Sequence, residues 1–159
     1  MSTVQVADIE EQLVVFDLGD EVYGVDISRV QEIIRMQAIT QVPGAPSFVE
    51  GVINLRGKII PVIDLHRRFG LPAAQLGKSS RIVVVETEGR VIGMVVDAVS
   101  EVLRIPTNCI EPPSPVVVGI DSDYIRGIAK LEGRLVILLQ LDKVLTGEQK
   151  AALQGANAA

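Results

Sequence analysis

The chain repeats itself, and that repetition restricts its possible folds more than any other feature. Phe48-Val49-Glu50-Gly51-Val52-Ile53-Asn54-Leu55-Arg56-Gly57-Lys58-Ile59 returns as Tyr124-Ile125-Arg126-Gly127-Ile128-Ala129-Lys130-Leu131-Glu132-Gly133-Arg134-Leu135. An earlier echo relates Val22 to Val25 and Val30 to Arg35 with Val91 to Met94 and Val99 to Arg104. A structural unit was duplicated, so what the fold requires persists in both copies and what differs is free to serve another purpose. Gly24 and Gly93, Val30 and Val99, Glu32 and Glu101, Arg35 and Arg104, Gly51 and Gly127, Leu55 and Leu131, and Gly57 and Gly133 are kept. The glycines and aliphatics of this set are assigned to the fold.

Each copy reads as short strands joined by turns. Leu13 to Leu18 and Glu21 to Val25 flank Gly19-Asp20, and Arg81 to Glu86 and Val91 to Val96 flank Thr87 to Arg90. Glu50 to Leu55 turns through Arg56-Gly57 into Lys58 to Ile63, and Arg126 to Leu131 turns through Glu132-Gly133 into Arg134 to Leu139. These are hairpin signals, with glycine where a tight turn needs positive φ. Val30 to Met36 and Val99 to Ile105 add a strand to each copy, giving about five per copy. Helix is expected only in short segments, Asp64 to Phe69 and Leu141 to Leu145, with single turns at Asp26 to Arg29 and at Asp97-Ala98. Pro106 to Pro115 is expected to be a connecting loop without strand or helix, given Pro112, Pro113 and Pro115. Many strands are apolar at consecutive positions, which requires apolar neighbours on both faces. The expected fold is all-β with a few short helices: two small five-stranded barrels sharing an interface, closed so that no strand edge is left bare. The unit is expected to span residues 11–147, its halves at about 11–70 and 80–146, with flexible tails at 1–10 and 148–159.

Composition excludes several functions. The chain is 48% hydrophobic but 3% aromatic, with no Trp, so its core is built from Val, Ile and Leu. A net charge of −5 and five aromatic residues argue against an oligonucleotide-binding barrel, which needs phosphate contacts and stacking. Cys109 is the one cysteine and reads as a small part-buried side chain, not a reactive thiol. His66 is the one histidine. It precedes Arg67-Arg68 and is expected to face solvent. No histidine cluster exists to hold a metal, and no Gly-x-Ser-x-Gly elbow or phosphate-binding glycine motif occurs. Asp121-Ser122-Asp123 lacks the remainder of a calcium loop. No catalytic residue, cofactor site or metal site is therefore expected, and a small hydrolase is disfavoured. Residues 1–10 show no secretory pattern, and the longest aliphatic run, Leu135 to Leu139, is too short to span a bilayer. The expected compartment is the cytoplasm.

The hairpin tips diverge. Asn54-Leu55-Arg56-Gly57 stands against Lys130-Leu131-Glu132-Gly133. The turn accepts either charge at its apex, so turn chemistry does not dictate Arg56. Arg56 is either an ordinary solvated turn residue or a planar cation placed to bind a carboxylate or a partner's backbone. If the copies superpose, Glu32 lies near Arg56 and can pair with it. Glu101 would then meet Glu132, a like charge, and need another partner such as Lys130 or Arg104.

These residues carry a resemblance. Phe16 to Ile27, Val30 to Ile33, Val42-Pro43 and above all Phe48 to Leu65 resemble the CheW family of bacterial chemotaxis coupling proteins, over a match running from about Gln12 to Leu145. One departure is Gln140, where the family more often has Asp. The resemblance implies two OB- or SH3-like barrels that exchange segments, so that sequence repeats and spatial barrels need not coincide. It implies a non-enzymatic adaptor linking the cytoplasmic tip of chemoreceptors to the regulatory domain of the histidine kinase CheA, with other copies of the adaptor as further array partners. The protein would be recruited to membrane-associated arrays without inserting into the membrane. Carried over by position, receptor and kinase contacts fall on Ile27, Val30, Glu32, Asn54 and Arg56, with Gly57 shaping the turn. Val99 and Val102 enter only through the internal repeat. The residues do not separate swimming chemotaxis from a pilus or surface-motility pathway.

Overall fold

A computed structural model describes residues 10–72, 76–113, 122–131 and 133–144. The strands are β1 (Glu10–Leu18), β2 (Glu21–Asp26), β3 (Val30–Arg35), β4 (Val49–Leu55), β5 (Lys58–Asp64), β6 (Arg81–Thr87), β7 (Arg90–Val96), β8 (Ala98–Pro106), β9 (Ile110–Glu111), β10 (Ile125–Leu131) and β11 (Arg134–Leu139). Two four-residue helices, α1 (Leu65–Arg68) and α2 (Leu141–Val144), follow the last strand of each copy. The four expected hairpins form. Glu10 opens β1; the rest of the expected tails, 1–9 and 148–159, lies outside the described residues.

The two copies trade strands. One sheet runs β8-β1-β2-β11-β10-β9 and the other β3-β6-β7-β5-β4. The first copy's β1-β2 hairpin therefore lies beside the second copy's β10-β11 hairpin, and β6-β7 lies beside β4-β5. The joints are short parallel ladders, Leu138 opposite Gly24 and Val62 opposite Gly93. Among the described residues the sheets hold six and five strands and are not closed by backbone pairing, which corrects the expectation of two closed five-stranded barrels. Side chains reach across the open seams instead: Glu32 on β3 bonds Arg56 in the β4-β5 turn, and Glu101 on β8 bonds Arg134 at the start of β11.

The consecutive apolar runs are buried on both faces. On β6, Val83 and Val85 join a central cluster, while Ile82 and Val84 join a second cluster with Ile53, Ile60, Val62 and Val95. On β1, Val14 and Phe16 join the central cluster, while Leu13 and Val15 pack with Ile105, Val136 and Leu138. Phe16, Tyr23, Phe69 and Tyr124 form a chain of ring contacts at centroid spacings of 5.2–6.1 Å. Arg68 places its guanidinium 4.8 Å from the Tyr124 centroid and 5.0 Å from that of Phe48, and its Nε donates to the Val144 carbonyl, so α1 is tied to α2. The Tyr23 hydroxyl is buried and has no hydrogen-bond partner among the described residues, and burial pushes its ionisation far upward.

The kept glycines have physical reasons. A Cβ on Gly51, at φ +153°, would stand 2.2 Å from the Thr40 carbonyl oxygen, and one on Gly127 would stand 2.7 Å from Ile110 Cγ2 and 2.9 Å from the Glu111 oxygen. In both copies a passing segment crosses the strand where it bulges. In the first copy this is a bridge of Thr40 to Val52, and in the second it is β9. Three local expectations fail here. β9 and a 3-10 turn at Thr107–Cys109 occupy the stretch expected to be loop, because the prolines that block regular structure come only after Glu111. Asp97 bends but forms no helical turn, and Ala98 already belongs to β8. His66 is 4% exposed, not solvent-facing. Its ring nitrogens lie 2.9 Å from the Pro72 carbonyl and 3.0 Å from Asp97 Oδ1, while Asp97 Oδ2 accepts from Gly19 N–H at 2.7 Å.

Candidate protein-docking surface

The β4-β5 turn is a two-residue reversal between Leu55 and Lys58. Its central residues Arg56 and Gly57 stand at φ +52° and +86°. Positive φ at both positions matches the right-handed twist of the strands, which favours this turn in hairpins. Asn54 stabilises it: its Oδ1 accepts from Gly57 N–H at 2.8 Å. Arginine in left-handed backbone is unfavourable, since only glycine lacks the Cβ that crowds there. The arginine is instead explained by its side chain. Nη1 donates to Glu32 Oε1 at 3.2 Å and Nη2 donates to Glu32 Oε2, a two-pronged bond. The Arg56 side chain keeps 70% of its surface exposed while making it. Hydrogen bonding from Arg56, reinforced by its charge, holds the Glu32 carboxyl below the ordinary carboxylate range, and the same bond raises Arg56.

β3 supplies the other half of the surface. Its register against β6 slips between Val30 and Glu32, leaving Gln31 as the extra residue. The bulge puts Val30 and Ile33 on one face, that of their partners Val85 and Val83, while Glu32 shares the opposite face with Ile34. Ile27, in a 3-10 turn whose Asp26 carboxylate accepts from Ser28 N–H at 2.9 Å, packs with Val30 on the rim of the central cluster.

The second copy repeats the arrangement on the other sheet. β8 bulges at Ser100, which sets Val99 and Val102 opposite Phe16 and Val14 and leaves Glu101 on the far face. Glu101 bonds Arg134 Nη2 at 2.9 Å, and neither of its expected partners, Lys130 and Arg104, takes the role. Lys130 pairs with Glu111 at 3.3 Å. Glu132 lies outside the described residues.

The structure thus brings Glu32 on β3 together with Asn54, Arg56 and Gly57 of the β4-β5 turn across the seam between the outer strands of the five-stranded sheet, with Val30 on the opposite face of β3. Val99 and Val102 sit on the six-stranded sheet in equivalent places. Residue-by-residue reading missed Ile33 and Arg134. Ile33, 40% exposed, is the repeat counterpart of Val102, 53% exposed. Ile59 and Leu135, 48% and 45% exposed, are a second such pair. Superposing the copies position by position finds both pairs.

The model of the CheW-like domain matches residues 12–149. The chain belongs to the CheW family. Among CheW relatives, the chemotaxis protein CheW of Treponema pallidum is 35% identical over 91% of this chain and 87% of its own length. The chemotaxis protein CheW of Klebsiella aerogenes is 36% identical over 90% of this chain and 86% of its own. A crystal structure of the scaffolding protein TtCheW from Thermoanaerobacter tengcongensis superposes with a TM-score of 0.82 at 43% identity, covering 94% of this chain and 96% of that one. CheW is a family of scaffold proteins and not of enzymes. Among the described residues, no group of His, Cys, Asp or Glu is placed to hold a metal, and no helix is long and apolar enough to cross a membrane.

Proposed function

We propose that the chain is a non-enzymatic adaptor that couples chemoreceptors to the histidine kinase CheA. Residues 11–147 act as one coupling unit, cytoplasmic and recruited to receptor arrays at the membrane, where other copies of the adaptor are further neighbours. The observation that carries this reading is the Arg56–Glu32 clamp. A cation occupies a left-handed turn position whose counterpart in the repeated sequence is Glu132, and it spans an open sheet seam while keeping most of its own surface bare. Such a group is costly for the fold alone and well suited to docking, because a guanidinium held by one carboxylate still offers donors to a partner. On the other face of β3, Ile27, Val30 and Ile33 form an apolar rim of the kind that receives the apolar face of a receptor-tip helix. Asn54 and Gly57 act by holding the turn, and Val99 and Val102 offer the equivalent rim on the other sheet.

Two substitutions test the assignment. Arg56→Glu is expected to keep the wild-type circular dichroism spectrum and to lose capture of the CheA regulatory domain. Val30→Asp is expected to weaken binding of the receptor tip. Full retention of kinase capture by a folded Arg56→Glu chain contradicts the role of the turn, and unchanged receptor affinity removes Val30 from the surface.

A further inference from the structure

Three cations surround one concavity of about 430 Å³ at the far end of β3: Arg35, Lys78 and Arg81. Arg35 stands directly opposite Arg81 in the β3-β6 ladder, so both side chains project from the same face. Like charges in that relation destabilise a sheet. The chain has 20 acidic residues against 15 basic ones, so carboxylates are plentiful. Yet among the described residues no carboxylate forms an ion pair with any of the three; the pairs that do form engage other cations. Arg81 is fixed in place, its Nη1 donating to the Lys78 and Ser80 carbonyls at 2.8 Å each. The fold therefore holds Arg81 opposite Arg35 and beside Lys78, with no carboxylate partner for any of them among the described residues, at a cost to itself.

The surroundings indicate what would neutralise it. Two nearby backbone donors are engaged: Gly77 N–H donates to Ser80 Oγ at 2.9 Å, and Ser80 N–H donates to the Gly77 carbonyl at 3.1 Å. The concavity offers side-chain cations spread over two strands and a loop, which suits several carboxylates along a chain better than one compact phosphate. Arg35 also shares its β3 face with Ile33, because the bulge at Gln31 lies before both and alternation then places them together. An apolar rim, Val30 and Ile33, runs into a basic end.

We propose that Arg35, Lys78 and Arg81 dock the carboxylates of an acidic segment of a protein partner whose apolar residues lie along Val30 and Ile33. The apolar half of this proposal rests on the docking reading of β3 given above; the basic half is independent of it. The cluster fixes the direction in which a partner lies on the strand.

The probe is a fluorescein-labelled helical peptide carrying a leucine face followed by consecutive glutamates, titrated with the full chain by fluorescence anisotropy. Arg35→Glu and Lys78→Ala are each expected to weaken binding about tenfold, as for loss of a charge-assisted contact. A peptide with lysines in place of the glutamates is expected not to bind. Arg35→Glu is also expected to keep or raise the melting temperature, since it sets opposite charges across the ladder. Equal affinity of the Arg35→Glu chain for the peptide overturns the proposal. So does a lowered melting temperature, which would make the cluster structural, or displacement of the peptide by an equivalent of inorganic phosphate, which would make it a phosphate site. If Val30→Asp weakens receptor binding while Arg35→Glu leaves peptide binding intact, this inference fails and the docking surface stands. If Val30→Asp has no effect on receptor binding and Arg35→Glu still loses the peptide, the basic site survives and the β3 docking reading falls.

Discussion

Gly51→Ala isolates the feature on which the architecture of each copy turns, the crossing of one segment over a bulged strand. The added methyl would stand 2.2 Å from the Thr40 carbonyl oxygen, 2.7 Å from its carbon and 2.8 Å from Ile39 Cγ2. Two of these neighbours are backbone atoms, so no side-chain rotation relieves the overlap. Either β4 distorts or the Thr40 segment lifts away. The second route breaks two hydrogen bonds, Thr40 N–H to the Val52 carbonyl at 2.9 Å and Val52 N–H to the Thr40 carbonyl at 2.8 Å. Overpacking costs about 1–3 kcal/mol and each lost bond about 1 kcal/mol, which together give about 3–5 kcal/mol. At 2–4 °C per kcal/mol for a chain of this size, the melting temperature falls by about 6–20 °C. Gly57→Ala is the control. Nothing lies within 4 Å of its Cβ position, and only φ +86° opposes the change. Its cost is about 1–2 kcal/mol, the steric penalty of left-handed backbone. Thermal unfolding followed by circular dichroism compares the two, and hydrogen exchange at the Thr40 and Val52 amides locates the damage. A Gly51→Ala midpoint no lower than that of Gly57→Ala refutes the close-approach explanation of the glycine kept in both copies.

Two further outcomes follow from the same geometry. Tyr23→Phe removes a buried hydroxyl that has no partner among the described residues, so the variant is expected to gain about 1 kcal/mol, seen as a higher melting temperature; a loss would mean the hydroxyl is satisfied. Glu32 has a folded-state ionisation below its ordinary value of 4.5, so its contribution to stability is complete above that value and disappears as pH falls through the lower, folded one. Carbon-detected NMR titration of Glu32 should show the depressed midpoint, and Arg56→Ala should return it to the ordinary range; a midpoint unmoved by that substitution contradicts the clamp.

The repeat made most strands legible, because apolar runs punctuated by Gly19-Asp20, Arg56-Gly57 and Gly133 leave little choice of hairpin. The exchange of strands between copies was not written in those runs. Leu13 to Leu18 reads the same whether its neighbour belongs to its own half or the other, and only the family resemblance pointed to exchange. Burial of His66 is not legible in the sequence because its neighbours Arg67 and Arg68 are polar and its partner Asp97 lies 31 residues away. Superposing the copies brings Glu32 near enough to Arg56 to pair but leaves the pair open, and it points Glu101 toward Lys130 or Arg104. Glu101 reaches Arg134, which occupies the repeat position of Lys58, one strand position beyond the apex. The place of Ile33 is hidden in the sequence because simple alternation does not show a bulge: an extra residue at Gln31 moves it to the same face as Val30.

The most direct test of the coupling role is reconstitution of ATP-dependent CheA autophosphorylation with receptor-containing membranes, with and without this chain and with its Arg56→Glu variant. The account predicts strong kinase stimulation only when wild-type chain joins both partners, and near-basal activity with the variant. Stimulation that is the same without the chain, or undiminished by Arg56→Glu, would contradict it.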